Sequence, residues 1–263
     1  MTIGVYFILT LLGIYAAVFF LQEKLIFWPT KLNKNYQFNF DQKFEEINVK
    51  SYDGTILNGL LFKTADPKGL IFYLHGNGGC LRSWGEVAST YTDLNYDIFM
   101  LDYRGYGKSE GTIHSEEQLS RDAQMVYDEV NKHYPENRII IIGYSLGSGL
   151  ATKLASTNNP GMLILQAPFY SLKSLIMRRA FYAVPPFILK YRFESHRYIS
   201  RCKMPIVIFH GTDDEVVPYR SSLLLKEQLK PDDILITLPG QGHSKITNNQ
   251  KYKDQLKKIL QGN

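Results

Sequence analysis

The chain has 263 residues, 44% apolar and 21% charged side chains, and a formal net charge of +5. That length fits one α/β domain with a sizeable core and an appendage, and the composition excludes a disordered or collagen-like chain. The lysines are scattered and no dense arginine tract appears, so the cationic balance suits an anionic membrane surface and no nucleic-acid partner is expected.

Residues 2–21 contain no charged side chain. At about 1.5 Å per residue such a stretch spans a hydrocarbon core of roughly 30 Å. A cleaved signal peptide would need a basic start and a small-x-small cleavage site. Here no Lys or Arg precedes the apolar run, and Ala16-Ala17 leads into Val18-Phe19-Phe20. The reading is therefore an uncleaved single-pass anchor over 1–22, with Phe27 and Trp28 at the interface. Lys24, Lys31, Lys34 and Lys43 all follow it, which places the rest of the chain in the cytoplasm by the positive-inside rule. Residues 23–44, polar and aromatic by turns, read as a linker to a domain spanning 45–263.

From there the pattern alternates. Strands are predicted at 47–49, 57–62, 70–74, 98–101, 139–142, 162–165, 206–209 and 234–238. Helices are predicted at about 82–93, 115–134, 145–157, 218–229 and 246–260. Asp53-Gly54 makes a hairpin turn between the first two strands. Continuous apolar strands alternating with helices predict a mostly parallel eight-stranded sheet covered on both faces. Cys80 and Cys202 fall at opposite strand ends, so a disulfide between them is not expected.

The loops at the strand ends carry the chemistry. After the third strand comes His75-Gly76-Asn77-Gly78-Gly79, whose glycines let backbone approach a ligand closely. Gly105-Tyr106-Gly107-Lys108-Ser109 resembles the end of a phosphate loop, but Asp102 occupies the position where that motif needs glycine. The apolar run 139–142 leads into Gly143-Tyr144-Ser145-Leu146-Gly147, and a helical pattern follows. Strand, G-x-S-x-G and helix make a nucleophile elbow, a turn sharp enough to exclude a Cβ at either flank. The segment 170–201 then interrupts the rhythm. Its Arg178, Arg179, Phe181, Tyr182, Pro185-Pro186, Phe187, Lys190, Tyr191 and Arg192 read either as an ordinary surface helix or as a short lid facing the membrane.

A serine hydroxyl needs a base to take its proton and a carboxylate to orient that base. In folds built on this elbow the acid and then the histidine follow the serine. His210-Gly211-Thr212-Asp213-Asp214 offers two acids at a strand end, and the spacing leaves both open. Of six histidines, only His243 lies beyond them. His75 and His210 read as structural, and His114, His133 and His196 as surface residues. The oxyanion donors expected are the backbone amides of Leu146 and Asn77, with Gly76 and Gly78 as near alternatives for the second.

Five segments together resemble the α/β-hydrolase superfamily. They are LHGNGG from Leu74, LDYRGYGKSEG from Leu101, GYSLGSG from Gly143, HGTDDEVVP from His210 and GQGH from Gly240. More narrowly, with EKLIFWPTK after the apolar run, the chain is similar to membrane-anchored α/β-hydrolase-domain proteins of the serine aminopeptidase-like and monoglyceride-lipase-like group. The resemblance selects Asp214 over Asp213 and implies a Ser145–Asp214–His243 triad acting on acyl esters through an acyl-enzyme. It makes the Asp102–Gly105 loop structural and implies no metal and no organic cofactor. The expected partner is a small-molecule or lipid-like acyl substrate. Thioesterase, depalmitoylase or peptidase specificity on the same triad is the first alternative, and a non-catalytic binding protein the second.

Overall fold

The computed structural model describes residues 2–179 and 185–262. The apolar run forms one helix, Thr2–Ile26, of which Gly4–Ile26 is long and apolar enough to cross a membrane. Val5, Phe7, Ile8, Leu9 and Leu12 on it are each more than half exposed.

All eight expected strands are present, each a little longer than or equal to its predicted span. They are β1 (Phe44–Lys50), β2 (Ile56–Phe62), β3 (Leu70–Leu74), β4 (Asp97–Leu101), β5 (Ile139–Tyr144), β6 (Met162–Gln166), β7 (Ile206–Gly211) and β8 (Ile234–Leu238). They form one sheet in the order β8-β7-β6-β5-β3-β4-β2-β1. β2 runs antiparallel to both neighbours and every other pairing is parallel. Alternate residues of the central strands feed two cores. Phe72, Leu74 and Ile141 face the helices Glu116–Asn131 and Leu146–Ala155, while Ile71, Tyr73 and Ile142 pack with Tyr252 and Leu256 of the helix Gln250–Gln261. The chain reverses direction across the sheet around β3, with β4 on one side and β5 on the other. The crevice at the carboxyl ends of β3 and β5 is where such sheets hold ligands.

Two expectations need correction. The apolar helix expected to end at residue 22 runs on to Ile26, and 23–44 is not a free linker. Trp28 and Pro29 pair in parallel with Gly78 and Gly79, and Lys31 bridges to Gly107. Phe38 and Phe40 pack with Phe44 and Phe62 at ring separations of 5.3 to 6.4 Å. The segment carries enough aromatic area to bury itself on the sheet edge. It also explains the second correction. The helix expected over 82–93 is two short pieces, Leu81–Trp84 and Ser89–Thr92, around a 3₁₀ turn. The turn begins at Gly85, where a Cβ would fall 2.3 Å from the Phe40 ring.

The Asp102–Gly105 loop is structural, as the resemblance implied. Arg104 is buried and donates to Asp122, to Asp53 at 2.7 and 3.0 Å and to Thr55 at 2.8 Å. Asp102 accepts from the Leu81 amide at 3.0 Å and lies 3.3 Å from His75 Nε2, which ties this loop to the one after β3. Asp122 is buried with Arg104 as its cationic partner, so Arg104→Met is expected to lower unfolding stability by about 3–5 kcal/mol. In denaturant titrations, Arg104→Met/Asp122→Leu should recover much of that loss.

Candidate active site

Ser145 sits between β5 and the helix Leu146–Ala155 with φ +49° and ψ −112°, a conformation that side-chain-bearing residues rarely adopt. Its amide donates to Gln166 O at 2.9 Å, and its carbonyl accepts from Ser148 N at 2.9 Å. The flanking glycines are required by contact. A Cβ at Gly143 would lie 2.5 Å from the Ala151 Cβ, and one at Gly147 would lie 2.0 Å from the Leu74 carbonyl oxygen. The elbow is thus clamped against β3, next to the loop that begins at His75.

His243 Nε2 lies 3.0 Å from Ser145 Oγ, and His243 Nδ1 lies 2.7 Å from Asp214 Oδ2. An ionised carboxylate only accepts, so Nδ1 carries the ring hydrogen and Nε2 presents a lone pair to the serine. Asp214 is buried, and its other oxygen accepts from the amides of Val216 at 2.9 Å and Val217 at 2.7 Å. Burial alone would raise this carboxyl. Hydrogen bonds from His210, His243 and the Val217 amide outweigh it and hold the group well below the usual carboxylate range. His210 contributes through its Nε2–H, which donates to the Val217 carbonyl at 2.8 Å and also lies 3.2 Å from Asp214 Oδ2. Asp213 is exposed and accepts from Thr212 Oγ1, so of the two candidate acids Asp214 is the one that reaches His243.

Leu146 is the first residue of its helix, so its N–H has no intrahelical acceptor. It lines the same cleft as Gly76, Asn77 and Gly78. The cleft holds about 1000 Å³ and has Ser145 and His243 in its wall. Phe169, Leu172, Leu175 and Ile176 form an apolar side, the last three from the segment read as a lid. Phe181 and Tyr182 of that segment lie outside the described residues. Among the described residues no group of three or more His, Cys, Asp and Glu could hold a metal ion, and both cysteines are buried free thiols.

The sequence reading missed several contributors. Leu25, Ile26 and Trp28 line the cleft although they fall in the supposed linker. Their signal was the apolar Leu25-Ile26-Phe27-Trp28 run that continues past Glu23-Lys24. Tyr144, the variable residue of the elbow, donates its hydroxyl to the His243 carbonyl and stacks edge-on against the imidazole. His210, read only as structural, braces the acid.

Residues 65–197 match the family model described as serine aminopeptidase, S33. The chain belongs to this α/β-hydrolase family. The matched span includes the glycine-rich loop after β3 and the G-x-S-x-G turn of this hydrolase but ends before Asp214 and His243. It is 28% identical over 242 residues to the uncharacterised protein YfhR of Salmonella typhimurium, covering 82% of this chain and 81% of that one. It is 30% identical over 180 residues to the lysophosphatidylserine lipase ABHD12 of Danio rerio, covering 60% of this chain and 46% of that protein. The esterase Pf2001 of Pyrococcus furiosus superposes with a TM-score of 0.74 at 18% identity, covering 90% of this chain and 98% of that one.

Two outcomes follow for this hydrolase. Gly147→Ala drives a Cβ into backbone carbonyls on both sides of β3's end, so a stability loss of about 1–3 kcal/mol or more is expected in thermal melts. The folded Asp214 carboxyl is held below its unfolded value of about 3.9. Its contribution to stability is therefore complete above that unfolded value and fades as pH falls toward the depressed folded one. Asp214→Asn should lower the melting temperature at neutral pH, and its gap from wild type should narrow below about pH 4.

Proposed function

We propose that this protein is a serine hydrolase that cleaves carboxylic esters. The observation that carries the reading is the unbroken relay from Asp214 through His243 to Ser145, at 2.7 and 3.0 Å, with the serine held on a strained elbow at the cleft wall. His243 Nε2 takes the Ser145 proton as Oγ attacks the acyl carbon. Asp214 stabilises the imidazolium, and the amides of Leu146 and Asn77 receive the oxyanion. The imidazolium returns its proton to the departing alcohol. Water, activated by the same histidine, then attacks the acyl-enzyme and frees the acid.

The apolar wall supplied by Phe169, Leu172, Leu175 and Ile176 suits the chain of a lipid-like acyl group. The name of the relative ABHD12, a lysophosphatidylserine lipase, supports the same substrate class. In the domain organisation we propose, the Thr2–Ile26 helix anchors the chain in a membrane and a single hydrolase domain, which includes residues 27–44, follows it. The excess of lysine after the helix supports a cytoplasmic face for that domain.

A fluorophosphonate probe should label the full-length chain and leave Ser145→Ala unlabelled. A well-folded native chain that resists the probe would move the binding-protein alternative ahead. Across ester, thioester and peptide panels, turnover should be highest on long-chain esters presented in micelles or vesicles. Equal turnover of short soluble esters would sink the lipid-like preference and leave the serine hydrolase intact.

A further inference from the structure

We propose that the end of the apolar helix positions the oxyanion loop, and that Asn77 is the positioning residue through which it acts. The inference rests on the hydrolase reading above. Asn77 has two roles in this account, since its backbone amide faces the oxyanion while its side chain points the other way, into the helix end.

The contacts are specific. Asn77 Nδ2 donates to the carbonyl of Ile26, the last residue of the helix, whose own turn leaves that oxygen without a backbone donor. Asn77 Oδ1 accepts from the Trp28 amide at 3.3 Å and from the Tyr106 hydroxyl at 3.0 Å. Trp28 pairs with Gly78, and the Thr30 amide donates to the Gly79 carbonyl at 2.9 Å. One turn earlier the helix is pinned to the segment that follows the cleft's apolar wall. Gln22 is 2% exposed; its Nε2 donates to Ile188 O at 2.9 Å and its Oε1 accepts from Lys190 N at 2.8 Å. The Tyr191 hydroxyl donates to Glu23 at 2.9 Å, and the Phe27 and Tyr191 rings meet edge-on at 5.0 Å.

The loop needs such a brace. Three of its four residues from Gly76 to Gly79 are glycine, and a Cβ built at Gly78 would meet nothing within 4 Å. Gly76 and Gly79 are closely packed, a Cβ at the first falling 3.0 Å from the Trp84 and Tyr144 rings and at the second 2.8 Å from Ser83 Oγ, so it is the Asn77–Gly78 backbone between them that hydrogen bonds must fix. An oxyanion donor works only when held close to its final position before the reaction begins. A loop released from the helix end would still admit substrate and would meet the ordering cost in the transition state.

The test uses the full chain in phosphatidylcholine vesicles with p-nitrophenyl butyrate as substrate. Asn77→Ala keeps the peptide amide and removes only the brace. Its kcat should fall by about 10- to 100-fold, within the range for losing an oxyanion donor, with KM changed by no more than about threefold. Gln22→Ala, one turn back along the helix from the Ile26 carbonyl, should lower kcat several-fold. The double variant should fall little below Asn77→Ala, because both substitutions break one coupled unit. Thermal melts report folding in each case. If Asn77→Ala does not fold, Gln22→Ala decides alone, and an unchanged kcat there overturns the inference. Folded Asn77→Ala within about twofold of wild-type kcat, or effects of the two substitutions that simply multiply, overturns it too. A wild-type chain that neither turns over ester nor takes the probe would instead overturn the hydrolase reading, and this one with it.

Discussion

The site depends on the close approach of the elbow to the end of β3. Gly147 packs on the Leu74 and His75 carbonyls with no room for a methyl group. That contact holds the helix Leu146–Ala155 tight against the sheet, fixes Ser145 at φ +49°, and puts the Leu146 amide beside the glycine-rich loop. The strain at Ser145 is of a kind that costs about 1–3 kcal/mol and persists only where surrounding structure enforces it. Here the enforcement comes from bonds of Ser145 to Gln166 and Ser148, from two glycines, and from a fully buried pair of strands.

A second constraint acts on the acid. A buried carboxylate is unfavourable unless it is well bonded. Asp214 accepts from two backbone amides and from His243, with the His210 Nε2–H 3.2 Å away, which leaves it ionised and directional. His210 is itself held in one orientation, since the Val217 carbonyl takes its Nε2 hydrogen and Ser222 Oγ lies 2.6 Å from its Nδ1. The acid loop is therefore braced from the β7 side independently of His243.

Much of this was legible in residue order. The strands read correctly because parallel, doubly covered strands are nearly continuous apolar runs, as in Ile139-Ile140-Ile141-Ile142. Ser145 read clearly because only a strand–turn–helix context makes sense of its two glycines. Asp213 and Asp214 were inseparable by spacing, because adjacent loop residues differ only in which way the backbone turns them. The region 23–44 was misread for a related reason. Its attachment is made by pairings such as Trp28 with Gly78 and Phe40 against Gly85, partners some fifty residues away along the chain or nearly so. Local polarity gives no hint of such contacts. Gln22 closes the span read as an anchor, yet it is buried and bonded to backbone 166 and 168 residues away.

The absence of slack between helix and domain has a consequence for reach. A disordered tether of the length first assigned to residues 23–44 could extend at about 3.3–3.6 Å per residue, far enough to carry a hydrolase to a neighbouring membrane or a free complex. Here the helix passes directly into the buried Phe27 and then Trp28, which lines the cleft. On the proposed reading, with the helix seated in a bilayer and a lipid-like ester as substrate, that geometry confines hydrolysis to the host leaflet. Turnover is then governed by the mole fraction of substrate in that surface, and an apposed membrane offers the enzyme nothing to cut.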